Sequence, residues 1–121
     1  KIKSGRKKLV IKLKPTIKIV DQIKKWDPKI FLVKFKLEVN VSEKELIDRT
    51  YKSMLVSNAD LMVANDLKHM RGEKQKAFII DPLKKVIKAR DKKDISKKLL
   101  LIIAKNYDRE SQTIFIRNKI L

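Results

Sequence analysis

At 121 residues, with no cysteine and a single histidine (His69), the chain suits one domain and excludes a disulfide framework, a thiol nucleophile and a multi-histidine metal site. A net charge of +18, from 32 Lys and Arg against 14 Asp and Glu, favours polyanionic partners: nucleic acid, a nucleoside triphosphate or a phosphorylated substrate. The longest apolar run, Leu99 to Ala104, is too short to cross a bilayer and no signal-peptide pattern opens the chain, so a soluble, cytoplasmic protein is expected.

The segment Leu9-Val10-Ile11-Lys12-Leu13 reads as a short strand closed by Pro15. Thr16 is placed to cap a helix whose buried face is Ile17, Val20, Ile23 and Trp26, with Asp27-Pro28 as its stop. Ile30 to Leu37 is β-rich and apolar enough for an interior strand. Ser42-Glu43-Lys44-Glu45 is a capping box that opens a helix from Ser42 to Val56, with Leu46, Ile47, Thr50, Tyr51, Met54 and Leu55 along it. Leu61 to Ala64 is the next buried strand, ending in Asn65-Asp66.

Lys68 to Lys76 reads as a charged loop containing Gly72, with His69 on its surface. Ala77 to Asp81 and Lys85 to Ala89 read as antiparallel strands around Pro82. Asp91 or Asp94 caps a last helix that runs to about Tyr107, with Ile95, Leu99, Ile102 and Ile103 as its apolar set. Thr113 to Ile116 is expected to be a terminal strand or a docked tail.

The strand–helix–strand order between residues 30 and 66 is a βαβ unit, whose parallel strands open their carboxyl ends onto one edge of a sheet. Ligands of open α/β sheets bind at that edge. The expected architecture is a single α/β domain over residues 1–121: three-layer, Rossmann-like, with a mainly parallel sheet and an antiparallel edge. The chain contains neither a P-loop nor G-x-G-x-x-G. A nucleotide would therefore be held by lysines and helix N-termini. Basic charge concentrates in residues 1–36, with thirteen Lys or Arg against two Asp, and in residues 84–98, with eight against two. For most of these lysines an ordinary solvated face carries about half the weight.

Four segments, in order and at family-like spacing, carry a resemblance: Lys1-Ile2-Lys3-Ser4, Thr16-Ile17-Lys18-Ile19-Val20, Phe35-Lys36-Leu37-Glu38 and Val63-Ala64-Asn65-Asp66. Together they resemble phosphopantothenate–cysteine ligase, also called phosphopantothenoylcysteine synthetase, from Lys1 to about Tyr107. The resemblance implies coenzyme A biosynthesis. A nucleoside triphosphate with Mg2+ activates the carboxylate of 4'-phosphopantothenate as an acyl-nucleotidylate, and the cysteine amine then attacks.

The resemblance makes Lys1 the catalytic lysine, whose ammonium offsets charge on the phosphates and acyl oxygen. It places Ile17, Lys18, Ile19, Val20, Phe35 and Asn65 around the nucleotide, with Asp66 as a weak candidate for magnesium. Bacterial members carry two lysines where this chain has Ser53 and Ser57, whereas the eukaryotic variant has basic residues at the positions of Arg49 and Lys52. ATP is thus expected in preference to CTP, with Arg49 and Lys52, three apart on one helix face, gripping the polyphosphate.

The family's amino-terminal half carries a glycine-rich turn, an asparagine used in the second step and an Ala-Ala-x-x-Asp-type motif, none of which occurs here. The resemblance therefore implies a carboxyl-terminal half, inactive alone, that needs an amino-terminal half as partner and forms a homodimer. Two other functions compete. A basic nucleic-acid-binding module fits the charge, but only 6% of residues are aromatic, so stacking platforms are few. A non-catalytic regulatory relative of the ligase would keep the fold without the reaction.

Overall fold

A computed structural model of the chain describes the backbone of residues 8–71 and 74–120, and side chains over 8–68 and 76–107. A 3-10 turn (Ile19–Asp21) and the short helix α1 (Ile23–Trp26) come first. They lead into β1 (Val33–Glu38), α2 (Glu43–Ser57) and β2 (Leu61–Arg71). β3 (Lys74–Ile80), β4 (Val86–Ala89) and α3 (Lys92–Ile120) follow. The strands form one sheet in the order β1-β2-β3-β4. β1 and β2 pair in parallel, Val33 opposite Leu61 and Glu38 opposite Asp66. β2–β3 and β3–β4 are antiparallel.

Alternation along β2 and β3 divides the core into two halves. Met62, Ala64, Phe78 and Ile80 face Leu46 and Met54 of α2, with Val20 and Ile23 packed alongside. Leu61, Val63, Ala77 and Ile79 face the opposite way, toward Ile95, Leu99 and Ile102 of α3. The molecule is therefore an α/β three-layer fold with helices on both faces of the sheet. The parallel pair expected from the βαβ pattern is present. The antiparallel region is larger than expected, because it supplies two of the three pairings among the described strands.

The helix ends follow their local chemistry. The Ser42 hydroxyl accepts the Glu45 N–H at 3.2 Å, which is the forward half of the capping box. The return half is missing: the Glu45 carboxylate takes the Arg49 guanidinium at 2.6 Å instead. At the other end Asn58 closes α2 in the left-handed conformation, φ 53°. At the start of α3, Asp91 accepts the Asp94 N–H at 2.8 Å, while the Asp94 carboxylate accepts the Arg90 N–H at 3.0 Å.

Four expectations are corrected. Leu9 to Leu13 is not a strand. Its apolar residues are exposed and it has no ladder partner among the described residues, without which an alternating pattern does not become sheet. Thr16 caps no helix, and the segment after it breaks into the 3-10 turn and α1, with Ile17 75% and Trp26 68% exposed. Two ion pairs override the helical period there. Asp21 binds Lys34 at 3.2 Å and Lys24 binds Asp60 at 2.7 Å, so this segment turns charged residues inward along with Val20 and Ile23. The expected loop at 68–76 is instead the far half of a hairpin, β2 reaching Arg71 and β3 starting at Lys74. Thr113 to Ile116 is neither strand nor separate tail, because α3 continues to Ile120.

The Asp94 carboxyl is held below its ordinary value of 3.8 by the Arg90 N–H first and then by Lys98. Asp48 is lowered likewise by its hydrogen bond from Lys84. A carboxylate whose folded pKa is depressed stabilises the fold above its unfolded value, and that contribution is lost as pH falls through the folded one. Asp94→Asn is expected to lower the urea midpoint at neutral pH. The gap to the parent chain should close as pH falls below about 4, by which point the unfolded carboxylate is protonating. A gap that stays constant down to about pH 2 would contradict this linkage.

Candidate functional site

The carboxyl ends of β1 and β2 form the edge that carries Asn65 and Asp66 of the expected site residues. β2 ends its core stretch in Asn65 and Asp66, which are 4% and 3% exposed. The Asp66 carboxylate collects backbone donors from two directions. Oδ1 accepts from Asn40 at 2.9 Å and Lys68 at 3.0 Å, and Oδ2 accepts from Val41 at 3.0 Å. Asn40 lies in the left-handed region, φ 54°, a conformation that asparagine tolerates better than most residues. Asp66 thus moulds the β1–α2 turn and sets the N-terminus of α2 against the edge. The Asn65 amide donates to the Lys76 carbonyl at 3.4 Å, near where the β2–β3 register shifts.

On the α2 side of β1, Arg49, Lys34 and Lys36 are already partnered. Arg49 meets Glu45 at 2.6 Å and Glu38 at 3.4 Å, and Glu38 also draws Lys36 at 3.4 Å. Lys34 donates to Asp21 and to the Ser53 carbonyl, which holds the 3-10 turn against the C-terminal half of α2. Lys18 precedes that turn and its carbonyl accepts the Asp21 N–H at 3.1 Å. Val20 packs on the core, whereas Ile17 and Ile19 are exposed. Lys52 is exposed on α2.

Phe35 occupies the other face. It is 63% exposed, on a strand at the edge of the described sheet rather than in its interior. The structure therefore brings Lys18, Val20, Arg49 and Lys52 to one side of β1, and Phe35 and Asn65 to the other. Lys1 lies outside the described residues.

Sequence reasoning missed the partners. Asp60, directly before β2, accepts from the Leu32 N–H and from Lys24, both at 2.7 Å, and so fixes where β1 begins. Glu38 enters the sequence reading only as the last residue of the Phe35-Lys36-Leu37-Glu38 segment, and a carboxylate eleven residues before Arg49 is the available signal for its ion pair. For magnesium, backbone N–H groups reach both carboxylate oxygens of Asp66, and among the described residues no group of three or more His, Cys, Asp or Glu could hold a metal ion. The described donor set does not fit a protein-built cation cage.

Comparison with known proteins places this geometry. Residues 1–107 match the model of the DNA/pantothenate metabolism flavoprotein C-terminal domain, and the chain belongs to that family. It is 44% identical over 80 residues to the coenzyme A biosynthesis bifunctional protein CoaBC of Thermococcus kodakarensis, covering 66% of this chain and 20% of that protein. It is 30% identical over 99 residues to the CoaBC protein of Methanocaldococcus jannaschii, covering 80% and 25%. Among solved structures, the DNA/pantothenate metabolism flavoprotein from Streptococcus pneumoniae superposes with a TM-score of 0.79 at 35% identity, over 88% of this chain and 46% of that one. A Cab2 mutant in complex with phosphopantothenate-cysteine shares the fold, with a TM-score of 0.62 at 21% identity. The chain thus spans about a quarter or less of the curated relatives it matches. No helix among the described residues is long and apolar enough to cross a membrane.

Replacing Asp66 by alanine strands three backbone N–H groups. The expected cost is about 2–4 kcal/mol, read as a drop in the urea midpoint. Asp66→Asn, which keeps one acceptor oxygen, should lose less. Equal stability of Asp66→Ala and the parent would remove the moulding role.

Proposed function

We propose that this chain is the carboxyl-terminal part of a phosphopantothenate–cysteine ligase and acts in coenzyme A biosynthesis. The family match across residues 1–107, on a fold whose β1–β2 edge carries Phe35, Asn65 and the Arg49 flank, is the observation that carries this reading. Its substrates are 4'-phosphopantothenate, cysteine and a nucleoside triphosphate, ATP in preference to CTP because Arg49 and Lys52 stand where the eukaryotic variant of the resembled family has its basic residues. The working enzyme is a cytoplasmic homodimer that includes an amino-terminal half.

Each residue has a physical task. Arg49 is held by Glu38 and Glu45, so a triphosphate must exchange with carboxylates for the guanidinium. That exchange favours the polyanion, because a phosphate offers more charge and a bidentate match. Lys52 and Lys18 add positive charge along the same side of β1. Phe35 offers an apolar face for the base. Lys1 offsets negative charge gathering on the phosphates and acyl oxygen as the carboxylate is activated. Magnesium, which usually keeps several waters and binds through phosphates, would arrive on the triphosphate and neutralise part of its charge. Asp66 remains committed to the backbone.

Calorimetry on the whole natural protein should show binding of ATP–Mg2+. Arg49→Ala should weaken it about tenfold to a hundredfold, the value of a charge-assisted hydrogen bond. Lys1→Ala should stop formation of the acyl-nucleotidylate and leave the fold intact. No heat with either ATP–Mg2+ or CTP–Mg2+ would overturn the reading. Salt-sensitive binding of random RNA or DNA in its place would favour the nucleic-acid module.

A further inference from the structure

α3 packs on the sheet through Ile95, Leu99 and Ile102, so its opposite face is turned away from the core. A helix of this kind normally shows polar residues on that outer face. Here it shows apolar ones. Leu100 is 67%, Leu101 55% and Tyr107 71% exposed, and Ala104 is exposed as well. Leu100, Ala104 and Tyr107 follow one another at spacings of four and three, with Leu101 beside them, so they form one stripe. Exposed apolar residues scattered singly need no explanation, whereas a contiguous patch marks a contact surface.

The charges around the stripe have one sign. Residues 95–107 contain three Lys and no Asp or Glu. Lys93 and Lys97 continue the stripe toward the start of α3 at the same spacings, and Lys105 borders it. All three are exposed, and none forms an ion pair among the described residues. Lys98 differs, because it is turned to Asp94 and to the Lys88 carbonyl. Pro82 lines the same cleft as Lys105. The β3–β4 turn therefore lies beside this end of the stripe, and it carries Leu83, 89% exposed, and the exposed Lys85.

An occupant of this face must accept apolar contact and supply negative charge. A second copy of the same face supplies none, since it sets Lys93 and Lys97 against a surface without a carboxylate. A nucleic acid meets the lysines and leaves the leucines in water. An anionic lipid bilayer meets both demands. Leucines enter the boundary of the acyl chains, lysines extend to the headgroup phosphates, and a tyrosine suits the interface between the two. No described helix is long and apolar enough to cross a membrane, so the contact runs along the surface.

We propose that the outer face of α3 is a peripheral docking surface for an anionic lipid bilayer. Leu100, Leu101 and Tyr107 supply the apolar contact, and Lys93, Lys97 and Lys105 supply the attraction. α2, with Arg49, lies on the opposite side of the sheet, so docking leaves that flank open. The docking surface does not depend on ligase activity.

The test is co-sedimentation of the whole natural protein with vesicles of phosphatidylglycerol and phosphatidylcholine in equal parts, against vesicles of phosphatidylcholine alone. In about 0.1 M salt, where screening sets in at about 10 Å, binding to the anionic vesicles is expected to be on the order of tenfold tighter. Lys93→Glu with Lys97→Glu should remove most of that preference. Leu100→Ser with Leu101→Ser should weaken binding to the anionic vesicles about tenfold or more, because apolar insertion is lost. Serine at Leu55 and Val56, which are exposed on α2, should leave it unchanged. A urea midpoint equal to the parent's confirms that each exposed-site variant is folded. Failure of the parent to sediment with the anionic vesicles would overturn the proposal. Equal binding by the Leu100→Ser, Leu101→Ser variant and the parent would also do so, because adsorption would then follow net charge alone. A smaller assembly mass for that variant in the absence of lipid would assign the face to a second copy and overturn it as well.

Discussion

The carboxylate of Asp66 is the constraint on which this edge of the molecule depends. It sits almost without solvent contact and takes backbone hydrogen bonds from both the β1–α2 turn and the residues just past its own position. A buried charge is tolerated only when its lone pairs are satisfied, so the surrounding chain has little freedom to take another path. The consequence is geometric. The left-handed Asn40, the Ser42 cap and the first turn of α2 all follow from where Asp66 stands at the end of the parallel pair. A residue that resembles a metal ligand by type and position works here as a backbone clamp.

A similar logic operates at the opposite end of β1. Asp60 and Lys34 are partly buried, and each bridges two elements: Asp60 joins the start of β1 to α1, and Lys34 joins the 3-10 turn to α2. Pairs of this kind contribute little net stability, because desolvation offsets their attraction. They do select one arrangement, since any other leaves a charge without its partner in a poorly hydrated place. That selection turns Trp26 outward even though hydrophobic periodicity asks for it inside.

Cations of the candidate site are paired with carboxylates. Arg49 is shared between two carboxylates, and the neighbouring lysines Lys34 and Lys36 have acidic partners as well. The large positive net charge is therefore spread over other surfaces, and long-range attraction of a polyanion belongs to the whole molecule. On the proposed ligase reading, local discrimination would come from an exchange of partners around Arg49. Such an exchange favours a multiply charged, bidentate ligand over a simple anion.

Local chemistry was legible wherever the signal was short-range. The Ser42 cap, the α2 boundaries, the start of β2, the β3–β4 pair and the Asp91 cap all come from residues within a few positions of one another. The family resemblance, carried by four dispersed segments, was also present in the chain alone. Only the tertiary structure could decide the rest. Whether Leu9–Leu13 becomes a strand depends on a ladder partner, and whether Phe35 is interior depends on what lies beyond β1. That the Asp66 carboxylate gathers the turn's backbone donors depends on residues 25 and 26 positions away in sequence. Short-range propensity is encoded at each position, whereas pairing, burial and charge neutralisation are properties of two distant segments at once.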